Sequence, residues 1–470
     1  MGRRARHRCK SRSCVSEGNM SLTQHYIQQF GRFQRNARLY LISNALSGMT
    51  LGILQVLYNL YLIALGYQTD FIGLILFAGT IGAGVAIFPA GLCIDRFTGR
   101  SILIWASVLV GIAGAGQILL RTPFFLLLSA FMAGIGGAFI LVVNAPFLAR
   151  NSTPDERSHL FSLNIVLTLI MTVLGEALGG VLPLWFRSSA WLMAPLPPWF
   201  HWALAQAPQA RSYQLSLLVA GIIATPSFIP LFMLREEPPE RRADPTSSGT
   251  TLRDRLSVLS GWRRLPPRML LNNPLTVMIG IQLLIGAGAG LLLPYFNVYF
   301  VKQLGANSAL FGAIDAAANT LNALLTLLAP WLVLRIGKVA ALVIPRVISL
   351  PIMLLIGITG SLPLAATLYP LRQGFMDMTQ GILQVFSMEV VPPQRRGLAN
   401  SGYQAAYQIM WALGASLGGF LISRVGYLSV FISTTILYSL ALLLLWTRFG
   451  HGRWQEPTTS PIQPEHITMS

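Results

Sequence analysis

The sequence predicts an all-α integral membrane protein of twelve transmembrane helices in two six-helix repeats, and three observations carry that prediction. Apolar residues make up 53% of the chain and charged residues 11%, where a soluble domain carries about a quarter charged residues. Apolar runs of about 20 residues, the length that crosses about 30 Å of hydrocarbon, recur from end to end. Basic residues collect in alternate connections between those runs. Backbone groups in lipid must bond within their own segment, which makes runs of this length helices.

The spans fall near 39–65, 71–94, 101–120, 123–148, 159–183 and 214–234, then 273–301, 306–334, 338–359, 363–388, 397–422 and 427–447. A basic arm (1–38) precedes a first half (39–234). A hydrophilic loop rich in Pro, Ser, Thr and Arg (235–270) leads to a second half (271–447) and a tail (448–470). The arm, the tail and the even-numbered loops hold most of the basic residues, among them Arg96, Arg100, Arg150, Arg157, Arg335, Lys338, Arg395 and Arg396. The opposite side holds Arg121, Arg187, Arg211, Lys302 and Arg424. Lys and Arg gather on the cytoplasmic side, so both termini are expected there, in a plasma-membrane protein. The net charge of +18 is thus read as an orientation signal, helped by anionic lipid, and not as a nucleic-acid surface. Cys9, Cys14 and Cys93 imply no disulfide framework. A solvated arm is preferred over a metal site at His7, Cys9 and Cys14, and no metal or cofactor is expected. The first apolar run begins near Leu39, so no cleavable leader is read, and Met20 is an alternative start.

The halves repeat each other. Asn59-Leu60-Tyr61 with Leu65-Gly66 recurs as Asn297-Val298-Tyr299 with Leu304-Gly305. Arg96 to Arg100 recurs as Arg335 to Lys338, and Pro154-Asp155-Glu156-Arg157 as Pro392-Pro393-Gln394-Arg395. Gly175-Glu176-Ala177-Leu178-Gly179-Gly180 recurs as Gly414-Ala415-Ser416-Leu417-Gly418-Gly419. All share nearly one spacing, about half the chain.

Gly91 to Arg100, with Asp95, Arg96 and Gly99 in place, resembles the GxxxDRxGR signature between helices 2 and 3 of the major facilitator superfamily, with one extra residue before the second glycine. Leu334 stands where the second-half copy would carry its acid. Gly175 to Gly180 resembles the antiporter motif GPxxGG with Glu176 in place of proline. Ala130 stands about where the helix 4 motif would carry arginine. The resemblance covers roughly 37–447. It implies two six-helix halves with a site between them, a cavity lined by helices 1, 4, 7 and 10, and secondary transport of a small solute, proton-coupled, with export as one direction.

Several residue groups are candidates. Asp95 at the end of helix 2 can meet the positive end of helix 11 or nearby arginines. Such a pair breaks and reforms as the halves rock, with Gly91, Asp95, Arg96, Gly99 and Arg100 forming the latch and Arg335 and Glu389 its counterpart. A solvated charge pair is the plainer reading of Glu389. The glycine runs of helices 5 and 11 are packing faces. Ionisable groups at membrane depth are costly and so are functional candidates: Glu176, Asp315, Arg346, Arg372 and Asp377. Gln373, Asp377, Gln380 and Gln384 share one face of helix 10 and read as a cavity wall. Asn44, Gln55 and Asn59 form a similar face on helix 1, and Asp315, Asn319 and Asn322 on helix 8. Interhelical hydrogen bonds are the plainer reading of each Asn and Gln. A carboxylate in a dry site ionises reluctantly, so Glu176, Asp315 or Asp377 can trade a proton near neutral pH. Arg372 can bind an anionic substrate group or neutralise a carboxylate, and the sequence leaves both open.

The partners expected are therefore a small-molecule solute, the bilayer and H+ as coupling ion, with the chain acting as a monomer. No phosphate-cradling nucleotide motif occurs, which argues against an ATP-driven pump. An enzyme is not expected, because His25, His159, His201, His451 and His466 lie in loops, tails or at a helix edge. The alternative is a transporter-like sensor or a lipid-handling protein.

Overall fold

Among the described residues, twelve helical stretches follow one another in the order the hydropathy predicts. The structure is a computed structural model describing residues 33–195, 197–201, 203–235, 273–392 and 396–450. The first half contains α1 (Arg35–Ala64), α2 (Thr69–Arg96), α3 (Gly99–Leu119), α4 (Pro123–Arg150), α5 (Pro154–Ser188) and α6 (Pro208–Phe232). The second contains α7 (Pro274–Leu292, continuing irregularly to Gln303), α8 (Ser308–Ile336), α9 (Lys338–Ile358), α10 (Leu362–Asp377 and Gln380–Glu389), α11 (Arg396–Arg424) and α12 (Tyr427–Phe449). Eleven of these are long and apolar enough to cross a membrane, and the exception is α10, which is broken.

Local sequence explains the boundaries. Proline opens α4, α5, α6 and α7, where its missing N–H has no intrahelical partner to lose. The prolines at 154 and 208 start α5 and α6 five or six residues earlier than hydropathy predicts, because polar first turns are invisible to an apolar-run reading. Asn307 caps α8, its side chain accepting from the Leu310 N–H at 2.7 Å. The repeated Leu-Gly turns at Gly66 and Gly305 have φ of 100° and 73°, a region that suits glycine. In the first turn of α6, buried Arg211 donates to the carbonyls of Leu192, Ala194, Ala205 and Gln206 in the segment that precedes it. Trp185 in the last turn of α5 and Trp191 just beyond it are exposed; the Trp199 side chain and Trp202 lie outside the described residues.

The repeat extends to packing. In the first half α1 lies against α5 and α6, and α4 against α2 and α3; in the second, α7 lies against α11 and α12, and α10 against α8 and α9. Gly175 and Gly179 touch the α1 backbone at Met49 and Ile53, while Gly414 and Gly418 touch the α7 backbone at Ala287 and Leu291. A side chain at any of these would meet backbone, so the helices approach only because the residue is glycine.

The halves meet through α2 against α11 and α5 against α8, with α1 touching the irregular stretch of α7. Thr69 donates to the Gly419 carbonyl and Ser308 to the Gly180 carbonyl, both at 3.0 Å. The Asn59 side chain donates to the Pro294 carbonyl at 2.6 Å, and the Asn297 side chain to the Gln55 and Val56 carbonyls at 3.2 Å. These joints lie toward the odd-numbered loops. There one apolar core joins both halves through Leu57, Leu60, Tyr295 and Phe311, and within the second half it continues to Phe386 and Phe449 at the other end. At the opposite end a separate core around Tyr40, Leu103, Phe147 and Leu231 belongs to the first half alone.

Candidate substrate and proton site

Polar side chains from α5, α8 and α10 meet between the halves. Glu176 on α5 is fully buried, and its Oε1 accepts from the Asn319 side chain on α8 at 2.7 Å. Asn319 Oδ1 in turn accepts from Gln373 on α10 at 3.1 Å. One turn earlier on α8, Asp315 Oδ1 accepts from the Tyr369 hydroxyl of α10 at 3.0 Å. Asp315 and Glu176 are close enough for their negative charges to act on each other. The second oxygen of Glu176 is buried with no hydrogen-bond partner.

Beside this group lies a second cluster within the second half. Arg346 on α9 is 0% exposed and Arg372 on α10 is 2% exposed. Asp377 is the carboxylate on which both guanidinium groups act. Arg346 Nε donates to the Thr379 hydroxyl at 2.9 Å. Arg372 lies over the Phe296 ring at 5.6 Å, a favourable placement for a cation.

The structure corrects several expectations. Helix 10 is not continuous: it breaks at Met378 and Thr379, so Gln380 and Gln384 belong to a different segment from Gln373 and Asp377, and both are exposed. Thr379 is engaged by Arg346, and Thr and Gly381 are poor helix formers, which leaves little to carry the helix through. The helix 1 face also divides. Asn44 donates to Asn164 and Thr168 of α5 at 2.8 and 3.0 Å, and Asn59 joins the halves, so their amide groups serve helix contacts; Gln55 keeps an exposed side chain. Glu389 pairs with Lys338 at 2.8 Å, while Arg335 stacks on Trp331 at 5.3 Å and Arg396 donates to the Met388 carbonyl at 3.0 Å, so among the described residues Lys338 takes the place expected of Arg335 beside Glu389. Gly99 touches the Phe147 ring and Arg100 donates to the Phe232 carbonyl at 3.0 Å. The side chains of Asp95 and Arg96, the surroundings of Gly91, and Arg395 lie outside the described residues.

Tyr369 and Thr379 take part in these clusters without having been singled out from sequence. Tyr369 stands four residues before Gln373, and continuing the polar face of helix 10 one turn back would have reached it. Thr379 becomes meaningful only once the helix break is seen.

The Major Facilitator Superfamily profile matches residues 40–374 and 278–467. Among solved structures, a bacterial homologue of the human lysosomal transporter Spinster in an inward-facing state superposes with a TM-score of 0.68 at 13% identity, over 88% of this chain and 96% of that one. A D-xylose–proton symporter gives 0.64 at 16% identity, over 90% and 98%. The nucleoside transporter NupG gives 0.62 at 14% identity, over 88% and 98%. At these identities the likeness is one of fold. No curated sequence matches the chain. The profile match, the multi-pass helical fold and the repeated halves lead to one conclusion: the chain belongs to the major facilitator superfamily of membrane transporters.

Proposed function

We propose that this chain is a proton-coupled secondary transporter that moves a small solute by alternating access, with Glu176 and Asp315 carrying the coupling proton. The observation that supports this most is that two carboxyl groups from opposite halves, a buried Glu176 and a half-buried Asp315, come close enough for their charges to act on each other. Two like charges in such a site resist ionising together, so one proton is held between them while the halves are joined there. Losing it favours separation. Protonation and the rocking of the halves are thereby linked, with Asn319, Gln373 and Tyr369 orienting the pair.

Charge asymmetry supports cytoplasmic termini at the plasma membrane, and in that orientation the halves are joined toward the outside. The helix 5 glycine run, similar to the antiporter motif, favours export. Both halves lie in one chain, so a monomer suffices. Labelling of single cysteines at positions 20 and 460 from the cytoplasmic side alone is expected; labelling from outside contradicts the orientation.

The coupling is tested in liposomes containing a pH-sensitive dye, against a panel of amphiphiles, sugars, peptides and organic acids. A solute that wild type accumulates at the expense of a pH gradient should still be exchanged by Glu176→Gln and Asp315→Asn, without accumulation or proton movement. Full coupled transport by Glu176→Gln at normal expression contradicts the assignment.

A further inference from the structure

The break in α10 lies within the membrane-spanning part of the second half. The first segment ends at Asp377 and the second begins at Gln380. The backbone ladder resumes with the Leu383 N–H donating to the Thr379 carbonyl at 2.9 Å. The amide N–H groups of the turn before it are therefore outside the helix's own ladder, at the positive end of its dipole. A helix start alone does not make a site, and here a second feature coincides with it. Arg346, with no solvent exposure, is held by Nε on the hydroxyl of Thr379, the residue that precedes the second segment. Both of its terminal nitrogens are buried without a hydrogen-bond partner.

Arg372 adds to the same excess of donors. Its Nε is buried and unpartnered, and its Nη2 meets the Met353 sulfur at 3.7 Å, a weak acceptor. Neither guanidinium is hydrogen bonded to a carboxylate among the described residues. Arginine does not give up its proton in proteins, so two fixed positive charges act together on Asp377. A buried charge of this kind is costly unless something of opposite sign completes it. A guanidinium fork presents parallel N–H groups that fit the two oxygens of a carboxylate or phosphate.

We infer that the transported solute carries an anionic group, a carboxylate or a phosphate, and that Arg346, Arg372 and the amide groups at the start of the second α10 segment hold it. This rests on the transport reading but not on the proton assignment, because the binding is readable without any gradient. The alternative role for Arg346 is structural, pinning Thr379 and balancing Asp377; a charge-preserving lysine retains most of that role and loses the fork.

The test uses the purified full chain and thermal unfolding with matched probe pairs: benzoate against benzamide, and phenyl phosphate against benzyl alcohol. Dodecyl phosphate against dodecanol separates a lipid-like source of the anionic group from a water-soluble one. The anionic member of at least one pair should raise the wild-type melting temperature by about 3 °C or more beyond its neutral partner, in a saturable way. Arg346→Lys should keep the ligand-free melting temperature and lose about tenfold or more in affinity for that probe. Glu176→Gln should keep the preference for the anion even if it uncouples transport. If Arg346→Lys does not fold, Arg372→Lys carries the same comparison. Equal stabilisation by the charged and neutral members of every pair, stabilisation by neither, or an unchanged affinity in the folded lysine variant would overturn the inference.

Discussion

At the end of α1, the Tyr61 hydroxyl donates to the carbonyl of Ile118 at the end of α3 at 2.7 Å; at the end of α7, Tyr299 donates to Ile356 at the end of α9 at 2.6 Å. The clasps made by Thr69 and Ser308 are likewise two copies of one joint, and Asn59 and Asn297, 238 positions apart, bond to each other across the axis between the halves. The charged side chains do not repeat. Carried back by 238 or 239 positions, the two spacings that the matched pairs show, Asp315, Arg346, Arg372 and Asp377 all fall on uncharged residues: Phe77 or Leu76, Val108 or Ser107, Gly134 or Ala133, and Phe139 or Ala138. Helix α4 runs unbroken for 28 residues where α10 is interrupted. The first half supplies Glu176 and a mostly apolar surface, and the second supplies the rest of the chemistry. Joints that must move together are under the same constraint in both halves, whereas a ligand needs its partners only once.

The sharpest test of the shared scaffold is a leucine at Gly175 or at Gly414. Each glycine touches the backbone of the neighbouring helix, so both substitutions should cost about 3 kcal/mol or more and empty the folded peak in gel filtration. Tolerance in one half alone would break the symmetry. The charge asymmetry predicts the next effect. Asp377→Asn leaves two buried guanidinium groups without a carboxylate and should lose about 3–5 kcal/mol. Phe139→Leu, in the matching stretch of α4, should lose less than about 1.5 kcal/mol. The double variant Asp377→Asn with Arg372→Gln should recover much of the lost melting temperature.

The clasps should respond in parallel and less strongly. Thr69→Val and Ser308→Ala each remove one hydrogen bond between halves, about 0.5–1.5 kcal/mol, and both should raise the labelling rate of cysteines placed near the odd-numbered loops. The smallest change belongs to the Lys338–Glu389 pair. Its side chains are 30% and 32% exposed, so Glu389→Gln should alter stability by no more than about 1 kcal/mol. Asp95, whose second-half counterpart is Leu334, is proposed to act on turnover instead: Asp95→Asn should slow transport and leave affinity within about threefold, less than 1 kcal/mol. Unchanged turnover would remove the latch.

Much of this was legible in the sequence because lipid restricts the backbone to so few solutions. The spans followed from apolar runs, and the repeat from matched glycines such as Gly180 and Gly419. Glu176, Asp315, Arg372 and Asp377 declared themselves by being charged at depth. The break in α10 did not, because no proline marks it and the hydrogen bond from Arg346 to Thr379 depends on how α9 and α10 pack. Asn44 and Asn59 stayed open between a cavity face and an interhelical hydrogen bond for the same reason: an amide bonded to the next helix and one facing water have the same sequence signature. The choice of Lys338 over Arg335 as partner for Glu389 was also a matter of where α9 begins relative to α10.

The central claim is that the proton shared by Glu176 and Asp315 decides whether the halves stay joined toward the odd-numbered loops. Spin labels at Arg187 and Lys302, exposed positions on opposite halves at that end, read the separation in an otherwise cysteine-free protein. In wild type, raising the pH should shift the distance distribution from shorter to longer as the pair ionises and repels. In the double variant Glu176→Gln with Asp315→Asn, the short distance should persist at every pH. A wild-type distribution that ignores pH, or a double variant that still follows it, would contradict the account.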